Sequence, residues 1–175
     1  NVITEADQDW IYNPTPDFSY GLNVYLEYKN FDFTMFWQGV QGVDIISDLK
    51  KQTDIWAGLN IGFLNKGQRL LDAWSSTNPN SNIPALSLSD NNNEKRVSTY
   101  WVENGSYLKL RTIQLGYNLP KSMTNRLAMQ RLRFYLSAQN LLTIHSKSFT
   151  GVDPENPNYG YPIPLNITFG INVTF

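Results

Sequence analysis

Apolar and polar side chains alternate along the last stretch of the chain. From position 163 to position 175 an apolar residue occupies every odd position, and the even positions hold only Pro, Asn, Thr and Gly. Because successive side chains of a strand point to opposite faces, this pattern predicts a strand with one apolar face and one polar, uncharged face. These 13 residues, at about 3.3 Å each and tilted by about 45°, rise roughly 30 Å, the thickness of a bilayer core.

Four earlier segments repeat the alternation, which predicts strands near residues 20–28, 31–40, 107–119, 131–144 and 163–175. Within these stretches the apolar face carries no charge, and the charged residues Glu27, Asp32 and Arg133 fall on the opposite face. A charge on a lipid-facing position costs about 2–4 kcal/mol at mid-membrane, so a bilayer demands this arrangement. The core of a soluble sandwich demands it equally, and the strand pattern alone leaves both folds open.

The predicted strand at 107–119 departs from the regular pattern near its start. Leu108 and Leu110 fall on the opposite face from Ile113 if the alternation is counted without interruption. Two interpretations stay open. Either a β-bulge near Arg111 and Thr112 shifts the alternation by one residue, or the strand stands clear of the membrane there.

The connections between the predicted strands have very unequal lengths. The short ones, at Lys29-Asn30 and at about 120–130, fall at one end, and the long ones, at about 41–106 and 146–162, fall at the other. Outer-membrane barrels have short periplasmic turns and long extracellular loops. We therefore expect an all-β fold, an antiparallel transmembrane β-barrel of which residues 1–175 form the C-terminal segment and 41–106 a long extracellular loop. Because five strands cannot close a barrel, we expect further strands before Asn1.

Composition mainly excludes functions. The formal net charge is −1, with 14 Lys and Arg against 15 Asp and Glu, so no basic surface for nucleic acid is expected. The chain has one histidine and no cysteine, and it contains no phosphate-binding glycine loop and no nucleophile elbow. We therefore expect no enzymatic activity, no cofactor and no metal site. A mean hydropathy of −0.37 agrees with a barrel, in which apolar and polar positions average out.

The long loop holds the candidate binding residues. Loops longer than about 12–15 residues usually bind something or are disordered, and this loop contains Trp56, Trp74 and Trp101. Their rings offer faces on which sugars stack, whereas the alternative, which we favour, is that they pack the loop onto itself or onto a partner protein. Apolar spacing also predicts short helices at 44–59 and 67–75.

Two features lie nearer the C-terminus. Phe175 ends an amphipathic strand, and a terminal aromatic there resembles the signal that the outer-membrane assembly machinery reads. Four residues with side-chain oxygens resemble a calcium-ligand set, but Pro154 and Pro157 interrupt their spacing and favour a turn. These four are Asp153, Glu155, Asn156 and Asn158.

Seven short motifs occur in order along the chain. They are Asn13-Pro14-Thr15-Pro16-Asp17-Phe18-Ser19-Tyr20-Gly21, Tyr28-Lys29-Asn30-Phe31-Asp32-Phe33, Gly105-Ser106-Tyr107-Leu108-Lys109-Leu110-Arg111, Leu115-Gly116-Tyr117-Asn118-Leu119-Pro120, Gln139-Asn140-Leu141, Gly151-Val152-Asp153-Pro154-Glu155 and Thr168-Phe169-Gly170-Ile171-Asn172-Val173-Thr174-Phe175. With them the chain resembles the C-terminal part of SusC/RagA-type TonB-linked outer-membrane receptors. Residues from about 42 to 99 carry no such motif.

The resemblance implies a 22-stranded barrel of the bacterial outer membrane, plugged by an N-terminal domain. It further implies import of oligosaccharide or peptide fragments, driven by the TonB complex through an N-terminal region that this sequence does not contain. A SusD-like surface lipoprotein is expected to act as a lid. The alternatives are a soluble β-sandwich carbohydrate-binding module and a structural or adhesive barrel without transport. Long predicted strands and unequal connections favour the barrel over the sandwich.

Overall fold

The computed structural model describes residues 5–54, 66–87, 96–158 and 160–175. Its seven strands are β1 (Phe18–Tyr28), β2 (Phe31–Gln41), β3 (Asp44–Ile46), β4 (Val102–Asn104), β5 (Tyr107–Asn118), β6 (Arg131–His145) and β7 (Asn166–Thr174). The chain divides into two compact units. The sheet unit comprises Thr15–Val43, Gly105–Ser146 and Pro162–Phe175, and the loop unit comprises Asn1–Pro14, Asp44–Asn104 and Lys147–Tyr161. Among the described residues, no helix has the length and apolar character needed to cross a membrane.

The sheet unit is one antiparallel sheet with strand order β1-β2-β5-β6-β7. The five long strands and their antiparallel order confirm the predicted fold class. One boundary was wrong, because β7 begins at Asn166 and not at position 163. Pro164 has no N–H to donate to β6, and its carbonyl instead accepts a hydrogen bond from the Asn140 side chain at 3.2 Å. The ladder between β6 and β7 therefore starts at Gln139 and Asn166.

A bulge explains the irregular alternation in β5. Phe36 pairs with Thr112 and Trp37 pairs with Leu110, so Arg111 is the extra residue. Paired residues share a face, and the bulge therefore returns Leu110 to the apolar face that Trp37 occupies. The Arg111 guanidinium donates from Nε to the Gln38 amide oxygen at 2.8 Å. Of the two interpretations of this segment, the β-bulge is confirmed.

The apolar face of the sheet is largely exposed. Leu26, Ile167 and Phe169 are 60%, 67% and 66% exposed, and many other side chains of this face are also open. Exposing so much contiguous apolar surface to water is unfavourable, at roughly 25 cal/mol per Å². A lipid-facing barrel wall has this character, with polar side chains on its other face.

The short connections have compact geometry. Lys29 turns β1 into β2 with a left-handed φ of 55°, and the Asn30 carbonyl accepts from the Asn118 amide of the neighbouring strand at 2.8 Å. Helix α2 (Lys121–Thr124) and a 3₁₀ turn (Asn125–Leu127) join β5 to β6. This turn ends at Ala128, which adopts a left-handed φ of 53°.

In the loop unit, strands β3 and β4 pair antiparallel. The predicted helix at 44–59 was wrong in its first residues, because Asp44–Ile46 forms β3 and helix α1 runs only from Asp48 to Asp54. Its remaining predicted residues lie outside the described part of the chain. The helix predicted at 67–75 is a 3₁₀ helix (Gln68–Asp72), and a second one (Thr99–Trp101) precedes β4.

Candidate functional site

Trp101 is at the centre of the loop unit. Its side chain is 2% exposed and packs against Ile46 and Tyr100, whose ring lies edge-on at a centroid distance of 4.9 Å. The indole Nε1 donates to the Arg96 carbonyl at 2.9 Å, and the Trp101 carbonyl accepts from the Ser47 amide at 2.8 Å. Both the ring and its polar atom are thus used inside the unit, which is the geometry of a packing residue.

A buried carboxylate, Asp54, ties the segments around this core together. It is 8% exposed and accepts hydrogen bonds from Nε and Nη2 of Arg69, the first at 2.9 Å. The Tyr100 hydroxyl donates to its second oxygen at 2.5 Å. Burial raises the pKa of the Tyr100 hydroxyl above its ordinary value, so the hydroxyl keeps the proton that it donates to Asp54.

A second buried carboxylate, Glu103, is 3% exposed. Its Oε1 accepts from the Lys50 ammonium at 2.9 Å and from the Thr150 hydroxyl at 2.6 Å, and its Oε2 accepts from the Thr150 amide at 2.9 Å. The Lys50 ammonium also donates to the Tyr100 carbonyl at 3.0 Å. Both carboxylate oxygens are therefore satisfied, as burial of a charge requires.

In the described residues of the segment Lys147–Tyr161, which supplies Thr150, a turn is closed between Asp153 and Asn156. Phe149 is 6% exposed, and its ring covers Gly151 so closely that a Cβ there would collide with it. Asp153 is also 6% exposed, and its carboxylate accepts from the Glu155 amide at 2.9 Å. The Asp153 carboxylate is thus engaged in the turn that the two prolines predict. In the described ranges, no three His, Cys, Asp or Glu side chains are grouped so that they could hold a metal ion.

The polar face of the sheet carries a third ionic cluster. Asp32 on β2 accepts hydrogen bonds from Nε and Nη2 of Arg133 on β6, the first at 2.9 Å. It also accepts one from the side-chain Nδ2 of Asn118 at 3.1 Å. The pair reaches across β5 at Gly116, where a Cβ would collide with both partners. The cluster borders an open hollow of about 340 Å³, which Tyr25, Glu27 and Arg131 also line.

Comparisons with known proteins find similar receptors and transporters over 94% to 100% of this chain. The TonB-dependent receptor P3 of Formosa agariphila is 35% identical over 99% of this chain and 18% of its own length. The TonB-dependent receptor SusC of Bacteroides thetaiotaomicron is 29% identical over 100% of this chain and 17% of its length. A structure of the RagAB peptide transporter superposes with a TM-score of 0.77 and 30% identity over 94% of this chain and 18% of that chain. No protein-family profile matches.

This chain is a segment of a SusC/RagA-type TonB-dependent receptor. Its five long strands form part of an outer-membrane β-barrel. The segment spans less than a fifth of the length of these relatives, at 18% and 17% of the curated receptors.

The predicted binding residues of this receptor segment have different surroundings. Trp74 is 48% exposed, so part of its ring is accessible. Its backbone amide donates to the Ile83 carbonyl at 2.9 Å. Trp101 is enclosed, and Trp56 lies outside the described residues. Phe175 is 78% exposed beyond the end of β7. A binding role for the tryptophans and an assembly role for Phe175 stay predictions.

Sequence reasoning missed two of the three buried acids described for the receptor's loop unit, and named only Asp153. Asp54 and Glu103 belong to no sequence motif, because their hydrogen-bond partners are distant in sequence. Asp54 is bonded to Arg69 and Tyr100, and Glu103 is bonded to Lys50 and Thr150. One signal was available for Glu103, since it follows three consecutive apolar residues, Tyr100 to Val102. A charge next to such a run is often buried with a partner.

Proposed function

We propose that the receptor containing this chain imports nutrient fragments, either oligosaccharides or peptides, across the bacterial outer membrane. The observation that carries this proposal is the match to TonB-dependent receptors over 99% of the chain. The amphipathic sheet supports it, because one face suits lipid and the other is polar, as the inside of a transport barrel is.

The same proposal includes the partners of import. Energy comes from the TonB complex, through a region outside this chain, and a SusD-like lipoprotein closes over the receptor from outside. The loop between β2 and β5 is then extracellular and meets the cargo or the lipoprotein, and Trp74 is its candidate contact residue. The similarity to the RagAB peptide transporter supports peptides as one cargo class. Oligosaccharides are the other class that the resemblance of the sequence motifs implies.

The test begins with purified outer membranes. The receptor is extracted with detergent, and the proteins that co-purify are identified by mass spectrometry. We expect this polypeptide only in the detergent fraction, together with a surface lipoprotein. Uptake of labelled oligosaccharide and peptide pools is then compared between wild-type cells and cells that lack the gene.

Each outcome of this test is informative. Loss of uptake of one pool in the deletion strain identifies the cargo class. Recovery of the polypeptide alone in the soluble fraction would contradict the barrel and favour the carbohydrate-binding module. A detergent-extracted receptor whose deletion changes neither uptake would favour a structural barrel without transport.

A further inference from the structure

Two loops that are distant in sequence meet at one buried carboxylate. The central loop is Asp44–Asn104, and the C-terminal loop is Lys147–Tyr161. Glu103 is the second-last residue of the first loop and accepts hydrogen bonds from Thr150, 47 positions later, in the second. Ser47 adds a hydroxyl contact to Thr150 at 3.3 Å. Both loops belong to one compact unit, and polar contacts around Thr150 join them.

Two of the buried acids of this unit, Asp54 and Glu103, differ in what they join. All the hydrogen-bond donors described for Asp54, which are Thr53, Arg69 and Tyr100, lie within the central loop. Glu103 joins Lys50 of the central loop to Thr150 of the C-terminal loop. The two acids have similar burial, at 8% and 3% exposure, so one is a natural control for the other.

The hydrogen bonds of Glu103 require that the two loops stay in contact. Its side chain is only 1% exposed. Separation of the loops would remove the two donors of Thr150 from the carboxylate and leave it with Lys50. Hydrogen bonds to a charged group contribute more to stability than those between neutral groups, so their loss opposes separation.

We propose that Glu103 is a positioning residue that clamps the C-terminal loop to the central loop throughout import, so that the receptor presents both loops as one preformed surface. The clamp itself is a property of this chain. Only its persistence during import rests on the proposed function. Preforming the surface lowers the conformational entropy that is lost when cargo or a partner binds there.

The first experiment measures hydrogen–deuterium exchange of residues 147–161 in the full receptor in detergent. Thr150→Val removes the hydroxyl donor and keeps the shape, whereas Thr150→Ser keeps the donor. We expect exchange to become about tenfold faster in Thr150→Val and in Glu103→Gln, since a hydrogen bond to a charged group is lost or weakened. Thr150→Ser and the control Asp54→Asn should exchange in this segment as the wild type does. Unchanged exchange in both Thr150→Val and Glu103→Gln would overturn the clamp.

The second experiment tests whether the clamp stays closed. The chain contains no cysteine, so Glu103→Cys and Thr150→Cys together provide the one cysteine pair of this chain for a short thiol cross-linker, in a receptor whose other cysteines are replaced by serine. We expect the cross-linked receptor to import its cargo at the wild-type rate. Uptake that stops on cross-linking and occurs without it would show that the loops must separate. If the wild-type receptor imports nothing, the proposed function fails, and the exchange experiment still decides whether the clamp exists.

Discussion

At the scale of single residues, a glycine allows an ion pair to cross a strand. Gly116 has no side chain, and Asp32 and Arg133 meet over it from β2 and β6. We predict that Gly116→Ala destabilises the barrel by about 1–3 kcal/mol, because the added methyl group displaces a satisfied buried pair. The measurement is the temperature at which the folded receptor loses its compact migration on a gel. Gly160→Ala is the control, since no described atom beyond its two chain neighbours lies within 4 Å of its added Cβ.

A second prediction at this scale concerns Tyr100. Its pKa is raised above 10.0 by burial, so its neutral form is favoured in the folded state. The stability that this hydroxyl contributes to the folded state is therefore complete below the unfolded pKa near 10, and it is lost as pH rises through the folded pKa. Ultraviolet titration of the wild type minus that of Tyr100→Phe isolates this one ionisation. We expect its midpoint above pH 10, and a midpoint at or below 10 contradicts the prediction.

At the scale of elements, neighbouring positions of β6 distinguish a lipid-facing wall from a soluble sheet. Leu136 is 52% exposed on the apolar face, and Ser137 follows it on the polar face. We predict that Leu136→Arg costs about 2–4 kcal/mol and sharply lowers the folded receptor in the outer membrane, whereas Ser137→Arg is tolerated. In a soluble sheet, Arg at so exposed a position would be nearly neutral. Surface labelling and immunoblotting of both variants measure the amount of folded receptor.

The elements also show which parts of the sequence were informative. Alternation with a period of two identified all five long strands, because a long strand with one apolar face imposes that period on the chain. Helical spacing of apolar residues failed in the first residues of 44–59 and at the ends of 67–75, where elements of three to seven residues are held by tertiary contacts and not by their own periodicity. The start of β7 was misplaced for a related reason: alternation continues through Pro164, but the hydrogen-bond ladder does not.

At the scale of the whole molecule, we predict a role in assembly for Phe175. Phe175 is 78% exposed and makes the last apolar position of the amphipathic C-terminal stretch. We predict that deletion of Phe175 lowers the amount of receptor assembled in cells and leaves an assembled receptor with normal heat stability, since the exposed ring contributes little packing. The measurement is the surface level in whole cells, with Phe169→Leu as a control that keeps the apolar face. Unchanged surface levels after the deletion would contradict an assembly role.

The sequence by itself determined the five long strands, the two faces of the sheet and the unequal connections, because these features follow from local periodicity and from where turns interrupt it. The motifs also determined the receptor family. Only the tertiary structure decided how the loops are built: that Trp101 packs inside, that Asp54 and Glu103 are buried, and that Thr150 reaches Glu103. The physical reason is that a buried charge is stabilised by partners brought from distant parts of the chain, and such partners leave no local pattern.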